Sequence, residues 1–377
     1  MSYPQVMIRD ETMREGMQIE SVDITVEQKV DLINRLSRTG LKHLVIGYFA
    51  SPKFTPQMKD VDEIMRRFTP VPGVIYSAGA PNAKGRERRA AFVPPLTPVS
   101  GRDTRPDLNV RLSDTFQRRN TQSTQAGQLA RWPKVVERAK ASGATEAGIS
   151  IGCAWGSNFE GPYSDEERMS MLRRAHAVWD EAGIPVTGIG FSDPESWGMP
   201  HLIRRNIELV LAEWPDLRYF YFHIHNARGT ALAQTYAALE ALDDRHELQI
   251  DTACGGIGGC PYCGNGRATG MAPTEDVVVM LEEMGIDTGV DIKALVEFVW
   301  KLEEVLGRQL MGQVSKAGWL PRNADELYDP NLPFVETFEQ AKHFLLGKEV
   351  TEGGIYPWRE GIPAPVHPYG SATGPAL

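Results

Sequence analysis

Eight times along this chain a short apolar or β-branched run is followed by an amphipathic stretch of helical period, and that alternation leaves few folds open. "QVMIR" leads into residues 25–39, "LKHLVIG" into 56–68, "GVIYSAG" into 82–92, "LNVRLS" into 121–142, "EAGISIG" into 164–182, "PVTGIGF" into 198–213, "RYFYFHIH" into 229–242 and "ELQIDTA" into 274–285. A helix between successive strands returns the chain to the same edge of the sheet, so the strands run parallel. Eight such units predict an α/β architecture, the TIM (β/α)8 barrel. After residue 290 the rhythm stops. A helix at 291–306 is followed by a Pro-rich, aromatic tail ending "YPWREGIPAPVHPYGSATGPAL". The expected organisation is therefore a barrel over 1–290 and a C-terminal helical extension with an irregular tail over 291–377.

With 377 residues, 42% of them hydrophobic, the chain can bury a core of that size. The net charge of -9 argues against a nucleic-acid groove. The first residues, "MSYPQVMIRDETMREG", lack a basic segment followed by an apolar one, and no apolar run approaches the roughly 20 residues that span a bilayer. The expectation is a cytoplasmic protein with neither nucleic acid nor membrane as partner. Four cysteines, Cys153, Cys254, Cys260 and Cys263, are too few for a disulfide scaffold, so each is a question of reactivity or metal binding.

In such a barrel the chemistry gathers where strands end. Strand 1 exits into "RDETMREGMQ", strand 4 into "SDTFQRRN", strand 5 into "GCAWGSN", strand 6 into "FSDPES", strand 7 into "HIHN" and strand 8 into "DTACGGIGGCPYCGNG". His223 and His225 stand two apart, hence on one face of strand 7. An isolated H-x-H is more often structural than ligating, so a metal site needs a third donor. Glu15 or Asp10 from strand 1 would complete a set of two histidines and a carboxylate. Asn158 and Asp193 are candidates to hydrogen-bond the histidines or a substrate, or to cap their own loops. Arg118, Arg119, Asn120 and Arg228 are candidates for an anionic substrate end, with a solvated Arg118–Arg119 pair as the plainer alternative. The C-P-Y-C pair could join Cys254 on zinc or form a redox couple, but the glycine-rich stretch from Gly255 to Gly270 favours a mobile flap.

The opening "RDETMREGMQ" resembles the D-x-T-x-R-[DE]-G-x-Q signature of the DRE-TIM metallolyases, which include isopropylmalate and homocitrate synthases and 3-hydroxy-3-methylglutaryl-CoA (HMG-CoA) lyase. "FASPKFTPQM", "PNAKG", "SDTFQRRN", "HIHNARGTALAQTYAALEAL" and "GGIGGCPY" with "ATGMAPTEDVVVMLEEMGIDTGV" follow in the order of the lyase branch, over roughly residues 5 to 300. The resemblance implies a barrel holding Mg2+ or Mn2+, although two imidazoles and a carboxylate would also suit Zn2+ or Fe2+. It places Glu15, His223 and His225 on the metal and Arg14 beside an enolate oxygen. Cys260 becomes the proton-transferring thiol of the flap, whose pKa of about 8.5 a neighbouring cation can lower. Gln18, Asn158, Asp193, Arg228 and Asn265 are expected to bind the substrate.

Four positions depart from the lyase pattern. Val45 stands where a glutamate belongs on strand 2, and Asn226 replaces an aspartate after H-x-H. Glu15 lengthens the strand 1 aspartate, and the asparagine ligand after the flap is missing, with Asn265 as its substitute. The expected activity is a divalent-metal-dependent carbon-carbon lyase, acting by retro-Claisen or retro-aldol chemistry on a 3-hydroxyacyl-CoA or related 3-hydroxy acid other than HMG-CoA. A Claisen-type condensing acyltransferase and a catalytically silent barrel are the alternatives. The expected partner is a small molecule, a CoA thioester by resemblance, and the expected assembly is a homo-oligomer.

Overall fold

A computed structural model of the chain describes residues 2–53, 55–98, 105–264 and 270–327. Eight parallel strands carry it: β1 (Gln5–Asp10), β2 (His43–Tyr48), β3 (Ile75–Gly79), β4 (Asp107–Arg111), β5 (Ala147–Gly152), β6 (Val186–Asp193), β7 (Tyr219–Ile224) and β8 (Glu247–Thr252). Their order in the sheet is β3-β2-β1-β8-β7-β6-β5-β4, so the first and last strands are neighbours, as a TIM barrel requires. The α/β, TIM-barrel-like fold predicted by the alternation is the fold observed.

One seam differs from a fully closed barrel. Among the described residues β3 and β4 share no ladder, and side chains take up the backbone groups that the open edges leave. Gln128 Nε2 and Trp132 Nε1 donate to the Asn109 carbonyl, and Gln125 Nε2 donates to the carbonyls of Arg111 and Leu112. On the β3 side Thr97 bonds both the amide and the carbonyl of Tyr76.

Strand register fixes which residues face the barrel axis. Arg111, Gly152, Ser192, His223, Asp251, Arg9 and His43 are successive Cα partners from β4 round to β2. Their alternates Val110, Ile151, Phe191, Phe222, Ile250 and Ile8 are buried in the hydrophobic core. Polar residues thus line the upper interior while apolar ones pack outward.

The helices begin and end on local signals. Thr25 and Gln28 form a capping box at α1 (Val26–Leu36), and Leu32, Ile33 and Leu36 bury its inner face. A second capping box, Ser164 with Glu167, opens the helix Asp165–Ala182, which stops at left-handed Gly183. The helix Ile292–Leu306, capped by Asp291, buries Leu295, Val296, Phe298, Val299 and Leu302. The compact barrel unit runs from Met1 to Gly312, so it includes this helix, which the sequence pattern assigns to the extension. Its apolar face is continuous with the core, and packing outweighs the break in rhythm at residue 290. The second unit starts at Gln313, and its described elements are the short turns of helix Val314–Ala317 and Ala324–Glu326. The Pro-rich tail lies outside the described residues. No described helix is long and apolar enough to cross a membrane.

Candidate metal and active site

Where the chain leaves β1 it makes a single π-helical turn, Thr12–Gly16, closed by the Gly16 amide donating to the Glu11 carbonyl at 3.0 Å. The wider turn separates two carboxylates that sequence leaves equivalent. Asp10 faces the helix layer and accepts from Thr12, Thr274 Oγ1 and the Cys254 thiol. Glu15 instead meets the histidines of β7. Ligand atoms of Glu15, His223 and His225 all lie within 4.8 Å of one another. The two Nε2 atoms are 3.2 Å apart, and His225 Nε2 is 3.9 Å from Glu15 Oε1.

This donor set fits a cation. The Asp251 carboxylate can only accept, so His223 Nδ1, at 2.8 Å, donates to it and Nε2 is left with its lone pair. Two nitrogens about 2.1 Å from a common ion stand about 3.0–3.4 Å apart at ordinary coordination angles, which the observed separation matches. His225 is buried, with Nδ1 unpartnered among the described residues. Burial, reinforced by His223, pulls its pKa down to about 3, so the ring is a neutral ligand. Burial also pulls on His223, but Asp251 outweighs it and the net shift is upward. Asp251 itself lies below the usual carboxylate range, because Arg9 and His223 overcome its burial. Arg9 holds Asp251 through Nε and Nη2 at 2.8 and 2.7 Å, and Tyr221 donates to it at 2.5 Å.

Arg14 pairs with Glu15 and lies 5.0 Å from the Tyr48 ring centroid. Glu15 is buried, yet Arg14 first and the histidines next keep its pKa below the ordinary value. Gln18 Nε2 donates to Glu15 Oε1 at 2.7 Å, so the expected substrate contact orients the metal carboxylate in this structure. Val45 is buried and inward-facing in register with Ser77. Across the β1–β2 ladder, the residue after the Asp10–Leu44 pair is Val45 on β2 and Glu11 on β1. Glu11 is buried, 3.5 Å from Arg9 and 3.6 Å from Arg14, and its Oε2 has no hydrogen-bond partner among the described residues. Burial outweighs both arginines and lifts its pKa to about 7. Sequence reasoning passed over Glu11 and Asp251. Asp251 is reached only through its cross-strand register with His223, and Glu11 is hidden at the start of the turn.

The cysteines divide into two groups. Cys254 belongs to the main core, whereas Cys260 and Cys263 cluster with Cys153 and Phe116. Among the described residues the three-cysteine zinc set does not assemble, and Glu15, His223 and His225 form the sole candidate metal group. Cys263 Sγ donates to the Pro194 carbonyl at 3.2 Å, and its pKa is raised by Cys260 and then by burial.

The remaining candidates are tied to the loops. Asn158 links the flap to the strand 6 exit, donating to the Cys263 carbonyl at 2.9 Å and accepting from Trp197 Nε1 at 3.0 Å. Asp193 is fully buried and accepts from the amides of Trp197 and Gly198 at 2.9 and 2.6 Å. Arg228 donates to the carbonyls of Glu195 and Ser196 and stacks over Trp197. Arg118 pairs with Asp114 on the surface, and Arg119 donates to the Tyr262 carbonyl at 2.8 Å. Asn226 caps the helix Ala231–Ala241 through the Ala231 amide at 3.0 Å. Asn265, the proposed replacement ligand, lies outside the described residues.

Comparison with known proteins agrees with this geometry. The HMGL-like family model matches residues 5–299. Hydroxymethylglutaryl-CoA lyase of Bacillus subtilis is 32% identical over 314 residues, 82% of this chain and 96% of that protein. (R)-citramalyl-CoA lyase of Chloroflexus aurantiacus is 32% identical over 323 residues, 83% of this chain and 95% of that protein. The solved structure of an HMG-CoA lyase from Acinetobacter baumannii, in complex with coenzyme A and 3-methylmalate, superposes with a TM-score of 0.66 at 30% identity, covering 86% of this chain and 97% of that one. With the family model spanning the whole barrel and the relatives matched over nearly their full length, this chain belongs to the HMGL-like family of carbon-carbon lyases.

Proposed function

We propose that the chain is a divalent-cation-dependent lyase that breaks the C2–C3 bond of a 3-hydroxyacyl-CoA, with Mg2+ or Mn2+ held by Glu15, His223 and His225. The observation that carries the reading is the convergence of those three side chains at the C-terminal ends of β1 and β7. When bound, the cation supplies Lewis acidity to the substrate oxygens. Glu11, poised near neutrality among Arg9 and Arg14, takes the proton of the 3-hydroxyl as C3 becomes a carbonyl. The C2–C3 electron pair passes to C2 and onto the thioester oxygen, where the Arg14 guanidinium stabilises the enolate. Cys260 delivers a proton to C2, and an acyl-CoA and an oxo product leave. The relatives' substrates, HMG-CoA and (R)-citramalyl-CoA, support a CoA thioester as the substrate class. Val45 and Glu11 at the strand 1–strand 2 boundary favour an acyl group other than 3-hydroxy-3-methylglutaryl.

The test pairs metal analysis with a substrate panel. Wild-type protein washed free of chelator is expected to retain about one divalent ion, His223→Ala to retain far less, and acyl-CoA cleavage to follow the metal. Equal, negligible metal in both proteins overturns the site. Turnover of free oxo acids with no CoA thioester cleaved overturns the lyase.

A further inference from the structure

The arginines around the barrel mouth are mostly engaged. Arg9 holds Asp251, Arg14 holds Glu15, Arg118 pairs with Asp114, and Arg119 and Arg228 bond loop carbonyls. Arg111 differs. Its backbone amide donates to Gln117 Oε1 and its carbonyl accepts from Gln125 Nε2, but its guanidinium makes no hydrogen bond or ion pair among the described residues. Asp107, four residues earlier on β4, accepts from Ser150 Oγ at 3.0 Å instead.

Its direction is set by the sheet. Arg111 lies in the same inward-facing row as Gly152, Ser192 and His223. A Cβ built on Gly152 would stand 2.8 Å from Arg111 Cγ and 3.0 Å from Ser192 Oγ, so the arginine stem crosses the strand where that glycine leaves room. Cys153, Cys260, Tyr48 and Asp107 are the groups near enough to bear on its charge, and Tyr48 is the ring under Arg14. Burial lowers its pKa, whereas in Arg9 and Arg14 carboxylates overcome the same effect. A partly buried cation without an ion-pair partner is costly, and an incoming anion removes that cost.

The anion must come with the reacting end of the substrate. Arg111 and His223 are three strands apart, about 14 Å along the sheet, and both belong to the inward-facing row. An acyl group whose oxygens sit at Glu15 and the histidines would present its far end to Arg111. We propose that Arg111 receives the terminal carboxylate of the acyl group and is the residue of this chain that discriminates a charged acyl end from an uncharged one. This rests on the lyase reading above and adds the recognition of the acyl chain. Guanidinium and carboxylate match as a two-point pair, which lysine cannot reproduce in full.

The experiment uses Mn2+-loaded full-length enzyme with 3-hydroxyglutaryl-CoA, HMG-CoA and the terminal methyl ester of each. Wild type is expected to favour the acids, and Arg111→Met to lose about 10²- to 10³-fold in kcat/KM on the acids while the esters hardly change. Arg111→Lys should recover part of the loss. Calorimetry with glutaryl-CoA and its methyl ester, which lack the 3-hydroxyl, reads the same preference without turnover. If wild type cleaves none of the panel yet loses glutaryl-CoA affinity on Arg111→Met, the lyase reading fails and the carboxylate site stands. If acids and esters weaken equally, the arginine serves the CoA phosphates and the inference is overturned. Unchanged discrimination in both folded variants overturns it as well.

Discussion

At the scale of single residues, Asp251 carries more of the site than any residue outside the metal set. It fixes the His223 tautomer, and Arg9 and Tyr221 saturate its remaining acceptor sites so that it stays ionised though buried. Asp251→Asn keeps the shape but offers an amide that can donate as well as accept, so His223 Nε2 is no longer obliged to bear the lone pair. Metal affinity is expected to fall about 10- to 100-fold, measured by competition with a chelating dye. Affinity equal to wild type would show that the tautomer is fixed elsewhere. The two flap cysteines give a second contrast. Cys260→Ala should lower turnover about 10²- to 10⁴-fold with metal content intact, as loss of a proton donor does. Cys263, whose thiol is occupied by the Pro194 carbonyl, should cost little when replaced by Ala. Equal damage from both, with loss of metal, would instead make the pair structural.

The elements were legible in the sequence to different depths. Strands read well because each is an apolar run bounded by turn residues, and period two alone places His223 and His225 on one face. Register did not read, because it depends on which strands become neighbours; the row from Arg111 to His43 and the role of Asp251 emerge only from the sheet order. The β3–β4 seam was equally hidden, since Gln125, Gln128 and Trp132 look like ordinary helix residues until their partners are known. Polar residues at strand ends, Asn158, Asp193 and Arg228, have the composition of substrate ligands, and in the structure they also hydrogen-bond loop backbone or side-chain groups, contacts that the sequence alone does not display. The π turn joins these scales. A Cβ on Gly16 would lie 2.4 Å from Ile257 Cδ1, so the turn bearing Glu15 packs directly on the base of the flap. Gly16→Ala is expected to destabilise by about 1–3 kcal/mol through overpacking and to reduce turnover. Adding Ile257→Val, which removes that methyl, should restore part of both, as read by thermal melts and kcat. A double variant no better than Gly16→Ala alone would place the strain in the backbone.

For the molecule as a whole, the arrangement that positions the site also sets how stability varies with pH. Burial raises Glu11 and Glu195 to about 7 and Glu275 to about 8, the last reinforced by Asp276. Each of these acids holds its proton in the folded protein at pH values where the unfolded chain has lost it. The folded state then binds more protons, and stability falls as pH rises from about 4.5 through the folded pKa. His223, raised in the fold, acts in the same direction as pH passes its folded value. His225 acts oppositely, because the fold keeps it neutral while the unfolded chain takes up a proton, but that contribution ends above about pH 6.5. The carboxylates held low, Asp251 and Glu15, lose their stabilisation only in acid, below the window. Between pH 6.5 and 8.5 the surviving terms share one sign, so metal-free protein should melt at a lower temperature at the higher pH. Glu275 isolates the effect because it sits away from the metal residues, accepting from the Gly255 amide at 2.9 Å beneath the flap. Glu275→Gln carries no titrating proton, and its melting temperature should drop less across the same interval. Parallel curves for the two proteins would mean that Glu275 is ionised in the fold, and a wild-type melting temperature that rises with pH would reverse the sign argued for the buried acids together.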